Sequence, residues 1–195
     1  MRGALKVLVM AAAAAIASAP GVARADGYFV PWAATQAGNG LGFNDNGRTS
    51  VGVYAGGMGD GIVGGEVGFG YSPSFFGTKN DFGNNSVIDL MGNVIVGIPI
   101  GGTHGGGVRP FAAAGLGLLR TQIDGGTLAT VSSSKNMLGW NLGGGVMGYF
   151  NDHVGLRGDL RYLRSFENPD TGVTAIDLGT GQVHFWRASI GLVLR

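Results

Sequence analysis

Residues 142–164, LGGGVMGYFNDHVGLRGDLRYLR, carry the pattern that decides the predicted fold. The segment reads as two strands joined by a tight turn at Asn151-Asp152. Side chains on a strand point alternately to opposite faces. One face of the strand after the turn is apolar and carries Val154, Leu156, Leu160 and Tyr162. The other face is charged and carries Arg157, Asp159 and Arg161. A soluble sheet shows such alternation when its apolar side covers a core, but we predict that this pattern recurs around a closed barrel whose apolar side meets lipid.

The composition favours one β-domain. The chain has 195 residues, of which 40 are glycine, and its 45% hydrophobic and 13% charged content argues against disorder. Helices do not carry glycine at this density, because each glycine costs roughly 1 kcal/mol relative to alanine. A small barrel uses glycine on its crowded inner wall and where strands bend. The absence of cysteine excludes disulfides, thiolate metal sites and cysteine nucleophiles, and the sequence holds no apolar run of about 20 residues for a transmembrane helix.

The first 25 residues have the three-part pattern of a secretory signal peptide. Arg2 and Lys6 are followed by an apolar run at 7–17 and a small-x-small cleavage site at 23–25. We therefore predict residues 1–25 as a signal peptide cleaved after Ala25, and residues 26–195 as an outer membrane β-barrel domain. Cleavage leaves 10 basic and 12 acidic residues, hence a net charge of −2, and there is no basic cluster to suggest nucleic acid as a partner.

Eight segments of about ten residues have the length that a tilted strand needs to cross a bilayer. They are 27–35, 49–58, 62–71, 86–98, 108–120, the two strands of 142–164, and 182–195. Long polar connections alternate with shorter ones, and the long ones are 36–48, 72–85, 121–136 and 165–181. The prediction is an all-β, eight-stranded antiparallel transmembrane barrel with its short turns in the periplasm. A lipocalin-type soluble barrel is the alternative, and it would place apolar residues inside and charges outside.

The predicted strand directions place aromatic residues at the two lipid interfaces, as expected of aromatic girdles. Near the outer ends of their strands lie Tyr71, Trp140, Tyr162 and Trp186, and near the inner ends lie Tyr28 and Phe150.

Several runs resemble the outer membrane protein β-barrel domain family, the eight-stranded barrels similar to the outer membrane protein A transmembrane domain. They are GGEVGFGYSPSFFG (64–77), LMGNVIVGIPIGG (90–102), VRPFAAAGLGLLRT (108–121), residues 141–164 and FWRASIGLVLR (185–195). The resemblance implies residence in the cell outer membrane and contact with the barrel assembly machinery during biogenesis. It implies less about activity, because relatives on one fold differ in their tasks.

The inner wall of the predicted barrel carries three charges of each sign: Glu66, Asp89, Arg157, Asp159, Arg161 and Arg187. Charges in a narrow space of low dielectric must be paired and hydrogen-bonded or remain hydrated. One interpretation is a neutralising network that plugs the lumen. The other is a gate in a narrow ion channel, where breaking a pair opens a file of water.

Catalysis has little support in the sequence. A lipid A-modifying barrel enzyme needs a nucleophile with a base within reach. His184 near the outer leaflet is one candidate base, and Ser165 is the residue that could approach it, but no third orienting residue is evident. We expect no catalytic residue, no metal and no cofactor. The expected partners are outer membrane lipid and lipopolysaccharide, together with surface ligands of loops 36–48, 72–85, 121–136 and 165–181.

Overall fold

Alternating side chains on eight strands build a closed barrel. The computed structural model describes residues 26–38, 48–58, 62–73, 75, 85–101, 105–123, 133–166 and 183–195. The strands are β1 (Asp26–Gly38), β2 (Arg48–Met58), β3 (Val63–Pro73), β4 (Asn85–Gly97), β5 (Gly107–Ile123), β6 (Ser133–Tyr149), β7 (Val154–Ser165) and β8 (His184–Leu194). Each strand pairs antiparallel with its neighbours in sequence, and β8 pairs with β1. The predicted eight-stranded antiparallel barrel is confirmed. The predicted signal peptide, 1–25, lies outside the described residues.

The outer wall of the barrel is apolar. Large hydrophobic side chains point away from the lumen on every strand, and Leu116 and Ile190 are 63% and 64% exposed. The arginines and carboxylates of the strand centres point inward and are buried. This distribution is the reverse of the lipocalin-type alternative, in which the apolar face would fill the barrel. None of the described residues forms a helix that is long and apolar enough to cross a membrane.

Several strands are longer than predicted. β5 and β6 extend to Ile123 and Ser133, which pair with each other, so the ends of the predicted loop 121–136 belong to the sheet. β1 likewise continues to Gly38, and β7 to Ser165. The prediction was wrong there because it relied on apolar alternation. Strands that continue beyond a bilayer into water keep their ladder hydrogen bonds without needing an apolar face.

The predicted turn at Asn151-Asp152 is closed by a side chain. The Asn151 Oδ1 atom accepts hydrogen bonds from the backbone N–H groups of His153 and Val154, at 2.9 Å each. Asparagine often closes turns in this way. The connection between β4 and β5 includes Gly101 and Gly105, both with positive φ, and the Gly105 N–H donates to the Asp152 carboxylate. The two neighbouring turns are therefore tied together.

These turns define the inner end of the barrel, where β1 begins and β8 ends. The opposite end, where β1 ends and β8 begins, is the outer end. The ladder between β1 and β8 pairs Phe29 with Leu194 and then resumes with Trp32 and Gly191, so it is interrupted at Val30 and Pro31. Proline has no N–H to donate to a ladder.

Candidate functional site

The pleat of the strands brings the six predicted charged side chains into the lumen. Each has an exposed fraction of 6% or less. They come from β3, β4, β7 and β8, and every one of them takes part in an ion pair. A buried charge is tolerated when it is paired and hydrogen-bonded, and the pairs divide into two groups.

The first group surrounds the Glu66 carboxylate. The Arg161 Nη2 atom lies 2.7 Å from Glu66 Oε1, and the Arg157 Nη1 atom is paired with Glu66 Oε2. The Tyr28 hydroxyl donates to the same Oε2 atom at 2.9 Å. One carboxylate on β3 thus holds two guanidinium groups of β7 and a phenol of β1 across the lumen.

Asp159 supplies the second carboxylate of this group. Its Oδ2 atom lies 2.9 Å from Arg157 Nε, and its Oδ1 atom lies 3.7 Å from Arg161 Nε. The Ser189 hydroxyl donates to Oδ1 at 2.7 Å. Two arginines and two carboxylates therefore form a group with no net charge, which we call the Glu66 cluster.

Amides extend the Glu66 cluster toward the opposite wall. The Asn141 side-chain N–H donates to Asn93 Oδ1 at 2.7 Å, and the Asn93 amide lies 3.4 Å from Glu66 Oε1. This chain of hydrogen bonds links β6 and β4 to β3. Among the described residues the chain ends at Asn141, whose buried Oδ1 atom has no hydrogen-bond partner.

The second group is a single pair. The Arg187 guanidinium donates to both oxygens of Asp89, with the Nη1 atom 3.0 Å from Oδ1. Two parallel hydrogen bonds of this kind are the strongest arrangement for arginine and a carboxylate. The Arg187 Cζ atom also lies 4.8 Å from the ring centre of Trp32. We call this group the Asp89 pair.

Aromatic rings separate and support the guanidinium groups. The Tyr54 ring centre lies 4.5 Å from Arg157 Cζ and 4.4 Å from Arg161 Cζ, and the Tyr54 ring is stacked on Trp32. Desolvated cation–π contacts of this kind contribute about 2 kcal/mol each. Tyr54 is buried on the inner face of β2, and its contacts with both arginines were not predicted.

Glycine makes room for these groups. A Cβ atom on Gly70 would lie 2.3 Å from Asp89 Oδ2 and 3.0 Å from Arg187 Nη1. A Cβ atom on Gly68 would lie 2.8 Å from the Tyr54 ring. The glycine-rich inner face of β3 is therefore the space into which the charged and aromatic side chains of other strands extend.

Apolar side chains occupy the lumen on both sides of the charges. One buried hydrophobic cluster includes Met58, Met147 and Tyr149 toward the inner end. The other includes Phe75, Leu119 and Phe185 toward the outer end. The charged groups thus lie between two apolar layers.

A seventh inward arginine lies near the inner end. Arg109 on β5 is 3% exposed. Its Cζ atom lies 5.9 Å from the Tyr149 ring centre, and the Arg195 Cζ atom lies 3.9 Å from the same ring. No carboxylate of the described residues forms an ion pair with Arg109. Arg109 is therefore an inward cation outside the two ion-paired groups.

Five of the six predicted girdle residues face outward, and Tyr28 does not. Tyr71, Phe150 and Trp186 are 40%, 66% and 44% exposed. Trp140 and Tyr162 are half-buried because their rings contact each other, with centres 5.6 Å apart.

Tyr28 is 5% exposed and donates a hydrogen bond to the Glu66 carboxylate in the lumen, so its placement in the girdle was wrong. Both faces of β1 carry apolar residues, and alternation therefore could not orient this strand. Gly52 on the neighbouring strand β2 was a signal for the orientation of β1. It lies opposite Trp32, and a Cβ atom on Gly52 would lie 2.4 Å from the Trp32 ring. Trp32 and Tyr28 lie on the same face of β1, so both point inward.

The considered catalytic pair is not brought together. The Ser165 hydroxyl points inward, is buried and accepts a hydrogen bond from the Val183 N–H at 3.0 Å. His184 points outward, and its ring centre lies 6.3 Å from that of Tyr162. The two side chains lie on opposite faces of the wall, which contradicts the idea that Ser165 approaches His184. No cluster of three or more potential metal ligands occurs in the described ranges.

A closed barrel of eight strands with an apolar outer wall and an ion-paired inner wall defines a transmembrane β-barrel of the outer-membrane type. The family model for the outer membrane protein beta-barrel domain matches residues 3–191. The chain belongs to this family, which confirms the resemblance found in the sequence and supports an outer membrane location.

Solved structures share the fold at low sequence identity. Neisserial surface protein A is 18% identical, with a TM-score of 0.62 over 87% of this chain and 96% of that one. The N-terminal β-barrel domain of Pseudomonas aeruginosa OprF is 17% identical, with a TM-score of 0.51 over 86% and 96%. Ail, the attachment invasion locus protein of Yersinia pestis, is 10% identical, with a TM-score of 0.50 over 86% and 97%. A comparison with curated protein sequences finds no match.

Proposed function

We propose that this protein is a non-enzymatic structural or surface-interacting barrel whose lumen is closed by its own side chains. The single observation that carries the proposal is the Glu66 cluster, which joins β3 to β7 across the lumen between two apolar layers. An eight-stranded barrel has room inside for little more than its side chains. The protein then presents its outer wall to lipid and its outer end to the cell surface, after cleavage of residues 1–25.

The loops carry the surface part of this role. The connections 36–48, 72–85, 121–136 and 165–181 would present exposed polar chain on a rigid scaffold, which is where binding functions usually reside. Most of these residues lie outside the described ranges. Phe75 is described, is 2% exposed and packs edge-on against Phe185, with ring centres 5.0 Å apart. This contact favours packing, rather than partner binding, for the first phenylalanine of the second loop.

A narrow gated ion channel is the second candidate, and one observation favours it. Four buried polar atoms along the inner face of β1 and β2 have no hydrogen-bond partner among the described residues: Trp32 Nε1, Gln36 Oε1, Ser50 Oγ and Tyr54 Oη. Buried polar atoms that the protein does not satisfy are usually bound by water. A file of water along this strip would pass beside the Asp89 pair, whose Arg187 Nε atom likewise has no hydrogen-bond partner among the described residues.

Planar-bilayer recording of Arg157→Ala distinguishes the two candidates. A closed lumen predicts that wild type and variant are both silent, because Tyr54 and Phe111 still occupy the space around position 157. A gate predicts that the variant conducts. Arg120→Ala is the matched control, since Arg120 is on the outward face of β5. A shift in gel mobility on boiling establishes that each sample contains a folded barrel, and a conducting Arg157→Ala barrel would contradict the closed lumen.

A further inference from the structure

The charges of the lumen are divided unequally between the two halves of the barrel. We call β1–β4 the first half and β5–β8 the second half. Among the buried side chains of the described residues, the charged ones of the first half are both carboxylates, Glu66 and Asp89. The charged ones of the second half are Arg109, Arg157, Arg161, Arg187 and a single carboxylate, Asp159. With one unit for each group, the inner faces of the two halves have net charges of −2 and +3.

The ion pairs between the halves join strands on opposite sides of the barrel. Glu66 on β3 is paired with Arg157 and Arg161 on β7. Asp89 on β4 is paired with Arg187 on β8. β3 and β7 are four positions apart in the closed order of eight strands, and so are β4 and β8. Opposite strands share no ladder, so these side chains connect parts of the wall that backbone hydrogen bonds do not connect.

The two halves meet along two ladders that differ in the length of chain between their strands. β4 pairs with β5, which follows it in the sequence, whereas β8 pairs with β1 at the other end of the chain. The second ladder forms only after the sheet has curved far enough to bring its two edges together. During that step the inner faces of the two halves approach each other across the future lumen.

Coulomb attraction between the two faces favours this approach, and salt screens it. The Debye length falls from about 30 Å at 0.01 M salt to about 3 Å at 1 M. For net charges of −2 and +3 that are about 15 Å apart in water, the screening changes the rate of closure about fivefold between these two concentrations. A hydrogen bond acts only at contact, so it gives no such attraction at a distance.

We infer that the opposite net charges of the two inner faces form an electrostatic clasp, which draws the halves of the barrel together before the ladder between β1 and β8 is made. In the folded barrel the same groups are the Glu66 cluster and the Asp89 pair. The clasp gives the lumenal charges a role in assembly, beyond the closure of the lumen, and is independent of whether the lumen conducts.

The Asp89 pair allows the charge of each half to be changed while the total charge stays constant. In the swap variant, Asp89→Arg is combined with Arg187→Asp, which leaves net charges of 0 and +1 and removes the attraction. In the neutral variant, Asp89→Asn is combined with Arg187→Gln, which leaves −1 and +2. The matched control is Arg120→Gln, because Arg120 is on the outward face of β5 and both inner faces keep their charge.

The experiment measures the folding rate of the mature chain. Protein unfolded in urea is diluted into phosphatidylcholine vesicles, which have no net charge, at 0.01 M and at 1 M sodium chloride. The boiling-dependent gel shift gives the folded fraction with time. We expect the wild type and Arg120→Gln to fold about fivefold more slowly at the higher concentration, and the neutral variant about twofold more slowly. The swap variant should fold at the same rate at both.

Equal rates of the wild type at the two salt concentrations would overturn the clasp, and so would a swap variant that slows as much as the wild type. If the swap variant gives no gel shift, the neutral variant decides: slowing equal to that of the wild type contradicts the clasp, and slowing of about twofold supports it. A wild-type chain that never gave a shift would instead contradict the proposed membrane barrel, so the two failures remain distinguishable.

Discussion

The two walls of this barrel are specified in different ways. On the inner wall, Glu66 contacts side chains of β1, β4 and β7, so its identity depends on residues far away in the sequence. On the outer wall, Leu116 has the register neighbours Gly92 and Trp140, and its exposed fraction is 63%. An inner residue must match several particular partners, whereas an outer residue must match only the depth of the membrane around it.

This difference indicates where the barrel tolerates change. Substitution of one apolar residue for another on the outer wall preserves the contact with lipid. On the inner wall, loss of one member leaves its partners buried and unpaired, which costs more than the pair itself contributes. Three comparisons test the contrast, from the largest expected effect to the smallest.

The largest loss should follow Glu66→Ala. Arg157 and Arg161 would share Asp159 as their only carboxylate, and breaking a buried pair by removing one partner costs about 3–5 kcal/mol. Urea unfolding in detergent, followed by the boiling-dependent gel shift, measures the change. Removing Arg157 as well should recover part of the loss, because it removes one uncompensated charge. A change below about 1 kcal/mol, the range of exposed ion pairs, would contradict the burial of the cluster.

On the outer wall, Ile190→Arg should cost about 2–4 kcal/mol, as expected for a cation near the bilayer midplane. Ile190 is 64% exposed and lies near the middle of β8, on the inner side of the girdle residue Trp186, so its side chain has no route to either interface except along the wall. Ile190→Ala is the control, and it should cost less because it removes apolar contact without adding charge. The same urea measurement, made in lipid vesicles, applies. Equal costs for the two variants would show that the face does not meet hydrocarbon.

The smallest comparison is between two glycines on one strand. Gly70→Ala would press a methyl group against the Asp89 carboxylate, and overpacking of this kind typically costs about 1–3 kcal/mol. Gly65→Ala would meet nothing within 4 Å on the outward face. The gel-shift midpoints of the two variants in urea make the comparison, and we expect a loss for the first only. A matching loss for Gly65→Ala would mean that β3 requires glycine for its backbone rather than for the space that glycine leaves.

Much of the fold could be predicted because alternation is a local signal. The orientation of Glu66 follows from the glycines on its face of β3, and that of Asp89 follows from the apolar Ile88 and Leu90 on either side of it. The orientation of the three charged residues of β7 follows from Leu156 and Leu160 on the opposite face. Strand ends were less predictable, since the paired segment from Thr121 to Ile123 is held by its ladder and has no apolar face.

The pairings within the lumen could not be predicted in the same way. Glu66 and Arg157 are 91 residues apart in sequence, and alternation states which residues point inward without stating which of them meet. Strand stagger in the closed barrel determines that choice. Tyr28 shows the same limit, because an apolar strand with an aromatic residue on either face has no preferred orientation until its glycine-lined neighbour is in place.

The interruption at Pro31 has a consequence for the order of assembly. Seven strand pairs join neighbours in sequence, but the eighth joins the two ends of the chain, so it has the largest entropic cost of closure. Until that pair forms, β1 and β8 are open edges that other chains can extend. Proline on an edge strand discourages such extension because it withholds a donor. The residue that interrupts the ladder of the finished barrel therefore also disfavours pairing of β1 with another chain while the barrel is incomplete.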